Sequence, residues 1–360
     1  MPPRDEHISC VGRRRFLTAL VAGGLSVTVG MERALADGDD ASTKAGGLSG
    51  KLVRVERGPL GVTLAFGLEH APFPAEGASY KDDTVLVFVP RHYRLPASGQ
   101  LDAVVHFHGH NNTAAGAMDE HALREQLFES KQNALLVVPQ GPVRAADSSG
   151  GKVEQRGGLR RMLEELMREL ARPAVGKALG ASRLRGARRF GALCLSAHSG
   201  GYRVAAACLL HGEVEVTEVY LFDALYGAVS TFRAWLKGGT PGRRAPRRKL
   251  VSTYATAPVR AQNLTLIAEL RSDGVDVLHE ERPGSLSRVE LTRGRAIFLA
   301  SPLDHGGVTY RHNNLRDCLY ASQLRRHQKS DWFEERDGAR PIEARERRDE
   351  RRATRSDASP

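Results

Sequence analysis

The sequence predicts an α/β fold: a mostly parallel open sheet with helices on both faces. Three observations predict it. Apolar runs at 84–89, 103–107, 134–138, 190–195, 216–222, 249–256 and 296–300 are short, continuous and rich in Val, Leu and Phe. Such runs fit strands buried on both faces of a largely parallel sheet. Helical patterns lie between them, at 159–170, 202–210, 228–236 and 259–270. Alternating β and α units imply right-handed crossovers that cover both faces of the sheet. Ligands then bind outside the carboxyl ends of the strands.

Composition agrees. The 360 residues are 41% hydrophobic, enough for a sizeable core and too apolar for wholesale disorder. Four cysteines are too few for a disulfide scaffold. No stretch beyond the N-terminal region approaches the roughly 18 apolar residues of a membrane span, which excludes a polytopic membrane protein. The net charge of +11 suits acidic partners in general. No amphipathic basic helix or aromatic-interleaved patch gathers that charge, so nucleic acid is not an expected partner.

The elements follow in order. Residues 1–36 read as an address. Arg13-Arg14-Arg15-Phe16-Leu17 precedes an apolar run from 19 to 29, and Ala34-Leu35-Ala36 offers a small-residue cleavage site. The Arg-Arg-x-Phe-Leu core resembles a twin-arginine export signal. The export machinery that reads such signals is then a partner, cleavage leaves no transmembrane anchor, and the protein is exported from a bacterium to the periplasm or beyond. Residues 37–50 are polar and Gly/Ser-rich, a flexible leader. Residues 51–66 suggest two edge strands around Gly58-Pro59, opening a domain expected over 51–324. In the helix at 159–170, Leu159, Met162, Leu163, Leu166, Met167 and Leu170 share one face. The insertion at 141–190 is long enough for a partial lid. Basic residues at 242–249 read as a solvated loop. Residues 325–360 hold 11 Lys/Arg and 9 Asp/Glu with almost no aliphatic residue, and are expected to be a disordered tail. Of the cysteines left after cleavage, Cys194 and Cys208 read as small core residues. A disulfide among Cys194, Cys208 and Cys318 stays open.

Three segments carry candidate chemistry. An apolar strand at 190–195 runs into Ala197-His198-Ser199-Gly200-Gly201, and a helix pattern follows. This fits a nucleophile elbow with Ala197 at the first small position. The turn is tight, so bulk two residues either side of the serine would clash, and the helix N-terminus favours developing negative charge. An earlier strand ends in His108-Gly109-His110, a loop whose amides, with that of Gly200, can face an oxyanion. After the last strand, His305 can curl back as the base, with His312 as runner-up. Asp223 ends the strand at 216–222 on the ligand side, ahead of Asp273 and Asp304 as the acid. Its competing role is a helix N-cap. His108, His198 and Tyr202 are expected to shape the substrate pocket.

A rival reading uses the same histidines. His106, His108 and His110 at alternate positions would share one strand face and could bind zinc. His106 alone reads more simply as a hydrogen-bonded core residue.

The order of His-Gly loop, elbow serine, acid and histidine resembles the α/β-hydrolase superfamily, over residues 80–320. That resemblance implies Ser199 as nucleophile, Asp223 as acid and His305 as base, an oxyanion hole of amides near Gly109, His110 and Gly200, and no metal or organic cofactor. It departs from the usual pattern at Ala197, and in taking its acid from the strand right after the nucleophile unit. The activity implied is ester hydrolysis through an acyl-enzyme, on a small-molecule or envelope ester. The alternatives are a non-catalytic binding protein on the same fold, or a zinc hydrolase on His106, His108 and His110.

Overall fold

Gly58-Pro59 breaks two apolar segments apart, and the chain reverses there. The product is an antiparallel hairpin of β1 (Leu52–Gly58) and β2 (Gly61–Gly67). A computed structural model describes residues 51–180, 184–238 and 248–327. The expectations for the export signal, the leader, most of the basic loop and the tail from residue 328 lie outside these described residues. β2 pairs with β3 (Thr84–Pro90), and β3 with β5 (Ala134–Pro139), both antiparallel. From β5 onward every pairing is parallel. β5 joins β4 (Gln100–Phe107), then come β6 (Arg189–His198), β7 (Glu218–Phe222) and β8 (Lys249–Tyr254). β10 (Ala296–Ala300) and β9 (Val277–Glu280) close the edge. The sheet order is β1-β2-β3-β5-β4-β6-β7-β8-β10-β9. This is the mostly parallel α/β architecture, with helices on both faces, that the alternation of runs predicts.

Side-chain alternation along the strands makes two cores, one on each face. Leu193, Leu195 and Ala197 of β6 and Ala103, Val105 and Phe107 of β4 face α3 (Gly158–Leu170), α4 (Pro173–Ala178), α5 (Tyr202–His211), α6 (Val229–Gly238) and α7 (Ala257–Ser272). Val104, Cys194, Tyr220 and Phe222 face the other way. They pack under α1 (Ala114–Glu120), α2 (Leu123–Glu129), α8 (Arg288–Arg293) and α9 (Asn314–Tyr320). β9 and the short helices α1, α2, α4, α8 and α9 are absent from the sequence expectation. Four to seven residues are too few for a period of 2 or 3.6 to declare itself.

One expectation is corrected. The tail does not leave the body at residue 325: Arg325 and His327 bond to Asn133 and Lys131 through the backbone, and the Arg325 amide donates to Asp102. These residues extend the edge contact beside Gln132, so backbone pairing holds a segment that composition alone marks as loose. The insertion after residue 141, expected to be mostly helix and polar loop with room for a partial lid, divides accordingly. The apolar face of α3 is buried in the core, and only the loop at 141–150 approaches the strand ends. Cys194, Cys208 and Cys318 are all buried, and none forms a disulfide among the described residues. Among the described residues, no helix is long and apolar enough to cross a membrane.

Candidate active site

Strand β6 ends at His198, and the chain turns at once into a 3-10 turn at Ser199–Gly201 and then α5. Ser199 takes a left-handed backbone, with φ of 53°. A non-glycine residue in that region is strained, and the surrounding packing must hold it there. Small neighbours make the turn possible. A Cβ at Gly201 would overlap the Phe107 carbonyl oxygen, and one at Gly109 would come within 2.7 Å of Ser199 Cβ. The loop after β4 therefore lies directly against the serine. Gly200 sits beneath His110 and Ser148, which hydrogen-bond each other at 2.6 Å (Nε2 to Oγ).

Three sequence-predicted residues come together. The Ser199 hydroxyl lies 2.9 Å from His305 Nε2, and His305 Nδ1 lies 2.6 Å from Asp223 Oδ2. A carboxylate only accepts, so His305 carries its proton on Nδ1 and presents Nε2 as acceptor to Ser199. The Asp223 side chain is fully buried, while that of His305 is 37% exposed. Burial raises the Asp223 pKa, but hydrogen bonds from His305 and from the amides of Thr256 and Ala255 outweigh it. The carboxyl is held below its usual range. Those two amides donate to Oδ1 at 3.0 and 2.8 Å, just before α7. Asp223 thus orients His305 with one oxygen and ties down the end of β8 with the other. Its own φ of 43° re-aims the chain after β7.

The other candidates for acid and base go elsewhere. Asp273 pairs with Arg233 at 2.6 Å and Lys237 at 3.0 Å, beside α7. Asp304 accepts from the Gly307 amide at 2.5 Å and shapes the loop that carries His305. His312 lines a small cavity with Glu280 and Pro302.

Two residues expected to shape a pocket are buried, and His108 also lines a small cavity with Ser148 and Gly201. His198 is buried under His305, and its Nε2–H donates to the His305 carbonyl at 2.8 Å. It supports the loop from beneath. His108 is also buried: Nδ1–H donates to the Gly109 carbonyl at 2.8 Å, and Nε2 accepts from the Gly141 amide at 3.0 Å. It pins two loops to each other. Tyr202 remains at the surface side, its ring 6.1 Å from Tyr226, whose ring faces His305 at 6.3 Å.

The zinc arrangement does not form. β4 ends at Phe107, so the strand alternation that would align the three histidines stops before His108. His106 stays in the core on Ser196, His108 is held by backbone, and His110 turns to Ser148. Among the described residues, no group of three or more His, Cys, Asp or Glu could hold a metal ion.

One feature escapes sequence reasoning. His106, His121, His198 and His305 form a column, with successive ring centroids 6.0, 4.6 and 4.7 Å apart. Burial first, then the neighbouring histidines, keep the lower three neutral. His198 is pushed down to about 4 against a partly opposing bond to the His305 carbonyl, His121 to about 3, and His106 well below the usual imidazole value. The signal that could reveal the column is parity. His106, Ser196 and His198 occupy positions of one face on the paired strands β4 and β6, where His106 lies opposite Ser196. No pattern announces that His121 joins them, nor that Ser148 meets His110.

No protein-family profile matches the chain, and no curated protein matches it. Solved structures resemble it at a distance. A ferulic acid esterase is 12% identical with a TM-score of 0.42, over 66% of this chain and 90% of its own. A fluorophosphonate-binding serine hydrolase of Staphylococcus aureus is 11% identical with a TM-score of 0.41, over 72% and 98%. An S-formylglutathione hydrolase from Agrobacterium tumefaciens is 13% identical with a TM-score of 0.43, over 76% and 99%.

Proposed function

We propose that the protein is a serine hydrolase that cleaves carboxylic esters through an acyl-enzyme, and that it is exported by the twin-arginine route. The observation that carries the enzymatic reading is the unbroken relay from Ser199 Oγ to His305 (2.9 Å) to buried Asp223 (2.6 Å). In this reading, His305 Nε2 takes the Ser199 proton as Oγ attacks the ester carbonyl carbon. Asp223 holds the tautomer and stabilises the imidazolium that forms. The amides of Gly200 and of the loop at Gly109 and His110 receive the oxyanion at the positive end of α5. His305 returns the proton to the leaving alcohol. Water, deprotonated by the same imidazole, then attacks the acyl-enzyme and regenerates Ser199. The residues at work need no metal or organic cofactor. The substrate is a small-molecule or envelope ester.

The experiment is activity-based labelling. The purified chain is treated with a fluorophosphonate and the adduct is mapped by mass spectrometry. The expected adduct is on Ser199, and it disappears in His305→Ala. Folded protein that stays unlabelled would overturn the reading. Export is tested separately: Arg13→Lys/Arg14→Lys/Arg15→Lys should strand the protein in the cytoplasm, and unchanged export would remove the twin-arginine proposal alone.

A further inference from the structure

The opposite end of the parallel strands carries a cleft of about 730 Å³. It is enclosed by the segment after β3, which supplies Arg91 and Arg94, and by the turn before β6, which supplies Arg185 and Arg188. The two segments are clasped. The Arg188 amide donates to the Gly99 carbonyl at 2.8 Å, and the Arg188 stem packs over Gly99, whose φ of 69° lets the chain turn there. His92 and His327 add a wall, their rings stacked 5.0 Å apart at 16°.

Charge is the informative feature. All four arginines are solvent-exposed. Among the described residues, no carboxylate lies within ion-pair distance of Arg91, Arg94, Arg185 or Arg188. Arg54, Arg160, Arg172 and Arg233 each pair with an acid elsewhere, whereas here four guanidinium groups without such a partner line one cleft. The imidazoles register the same field. Burial lowers His92 against an opposing bond to the Gln132 carbonyl, and the charges of His327, Lys131 and Arg91 lower it further; burial and then Arg94 lower His327. Four like charges around one cavity repel each other, and an anion relieves that repulsion. Guanidinium groups present forked donors that match phosphate and carboxylate oxygens. The volume is that of a small-molecule site, within the roughly 300–1,000 Å³ range of such clefts.

We propose that this cleft binds a small polyanion carrying at least two phosphate or carboxylate groups, held by Arg91, Arg94, Arg185 and Arg188. The site is separate from the candidate active site. Gly99 and Arg188 precede β4 and β6, whereas Ser199 follows β6. The ten residues of β6 put roughly 30 Å between the two ends. The ligand is therefore a second occupant and not the ester.

Isothermal titration calorimetry of the full chain tests this, with tripolyphosphate and citrate as separate probes. The expected result is saturable one-to-one binding of at least one probe. The affinity should fall by about tenfold or more in Arg94→Gln/Arg188→Gln. Which probe binds more tightly identifies phosphate or carboxylate as the preferred group. Arg54→Gln/Arg172→Gln removes the same two charges elsewhere and should leave binding unchanged. Arg91→Gln/Arg185→Gln repeats the test from the other residues of the cleft, should the first pair unfold the protein. Equal weakening by the cleft and control pairs would reduce the effect to overall charge and overturn the site. So would the lack of saturable binding of either probe, or binding to anionic phosphatidylglycerol vesicles without binding to the small probes.

Discussion

At the carboxyl ends of β6 and β7 and in the loop after β10, side chains are held by several partners each, and Asp223 and His198 are buried. Asp223 accepts three hydrogen bonds, His305 sits between Ser199 and Asp223, and His198 holds the His305 carbonyl. At the amino ends of β4 and β6, four arginines face one cleft without a carboxylate partner among the described residues. On the two proposals made above, the difference separates two kinds of work at opposite ends of the same strands. Bond-making needs atoms fixed to within a few tenths of an ångström, so its groups are over-determined and strained. Charge recognition needs unspent interaction energy, so its groups are left uncompensated until a ligand arrives. The two ends should therefore respond oppositely to mutation.

The largest effect is expected at the serine. Ser199→Ala should lower kcat/KM for a p-nitrophenyl ester by about 10⁴-fold or more, with the melting temperature intact. Residual activity near the wild-type level would break the contrast at its strongest point. Asp223→Asn should cost about 10²- to 10⁴-fold in kcat, because an amide can stabilise the wrong imidazole tautomer. It should also cost about 1–3 kcal/mol of stability, since the amides of Ala255 and Thr256 lose a charged acceptor. Ser199→Ala lacks that second cost, and chemical denaturation of the pair distinguishes orienting from anchoring.

His198 sharpens the comparison further. His198→Leu removes the donor to the His305 carbonyl and should lower kcat by about 10- to 100-fold with little change in KM. His198→Gln keeps a donor and should recover part of the loss. Equal rates in both variants would show that His198 only fills space.

Acid should act on the same end. The pKa values of His121 and His198 are depressed in the folded protein, to about 3 and about 4. The unfolded chain binds their protons near a pH of about 6.5, so it gains protons that the folded chain refuses. Stability is then complete above that value and falls as the pH drops from about 6.5 to about 4, by a few kcal/mol. Asp223 has a lowered pKa, so its contribution is present above the unfolded value of about 3.9 and is lost below that, as pH falls through the folded one. Calorimetric melting at stepped pH checks this, and a flat profile from 6.5 to 4 would remove the neutral column. The smallest effect belongs to the far end of the strands: Arg94→Gln/Arg188→Gln should leave kcat/KM within about twofold. A larger change would mean that the two ends are coupled.

The features legible in the amino-acid sequence are those that depend on local pattern. Apolar runs bounded by turns reveal strands, and a 3.6 period reveals α3 and α7. Ala197 and Gly201 flanking Ser199 reveal the elbow, because steric demand in a tight turn is local. Chain order alone then proposes Asp223 and His305. Patterns shorter than two turns stay silent, so β9 and α1 are invisible.

The remainder is decided by packing between distant segments. His198 looks like a pocket residue beside Ser199, yet its side chain falls on the face where His121 and the His305 loop meet it. His106, His108 and His110 look like a ligand set, yet β4 ends between the first and second. The arginines at 91, 94, 185 and 188 belong to two stretches nearly a hundred residues apart, and nothing local says they share a cavity. Sequence determined which residues had the chemistry and which strand ends carried them. Tertiary structure decided which were buried, which partners they met and which charges stayed unpaired, because desolvation and hydrogen bonding are properties of the assembled neighbourhood.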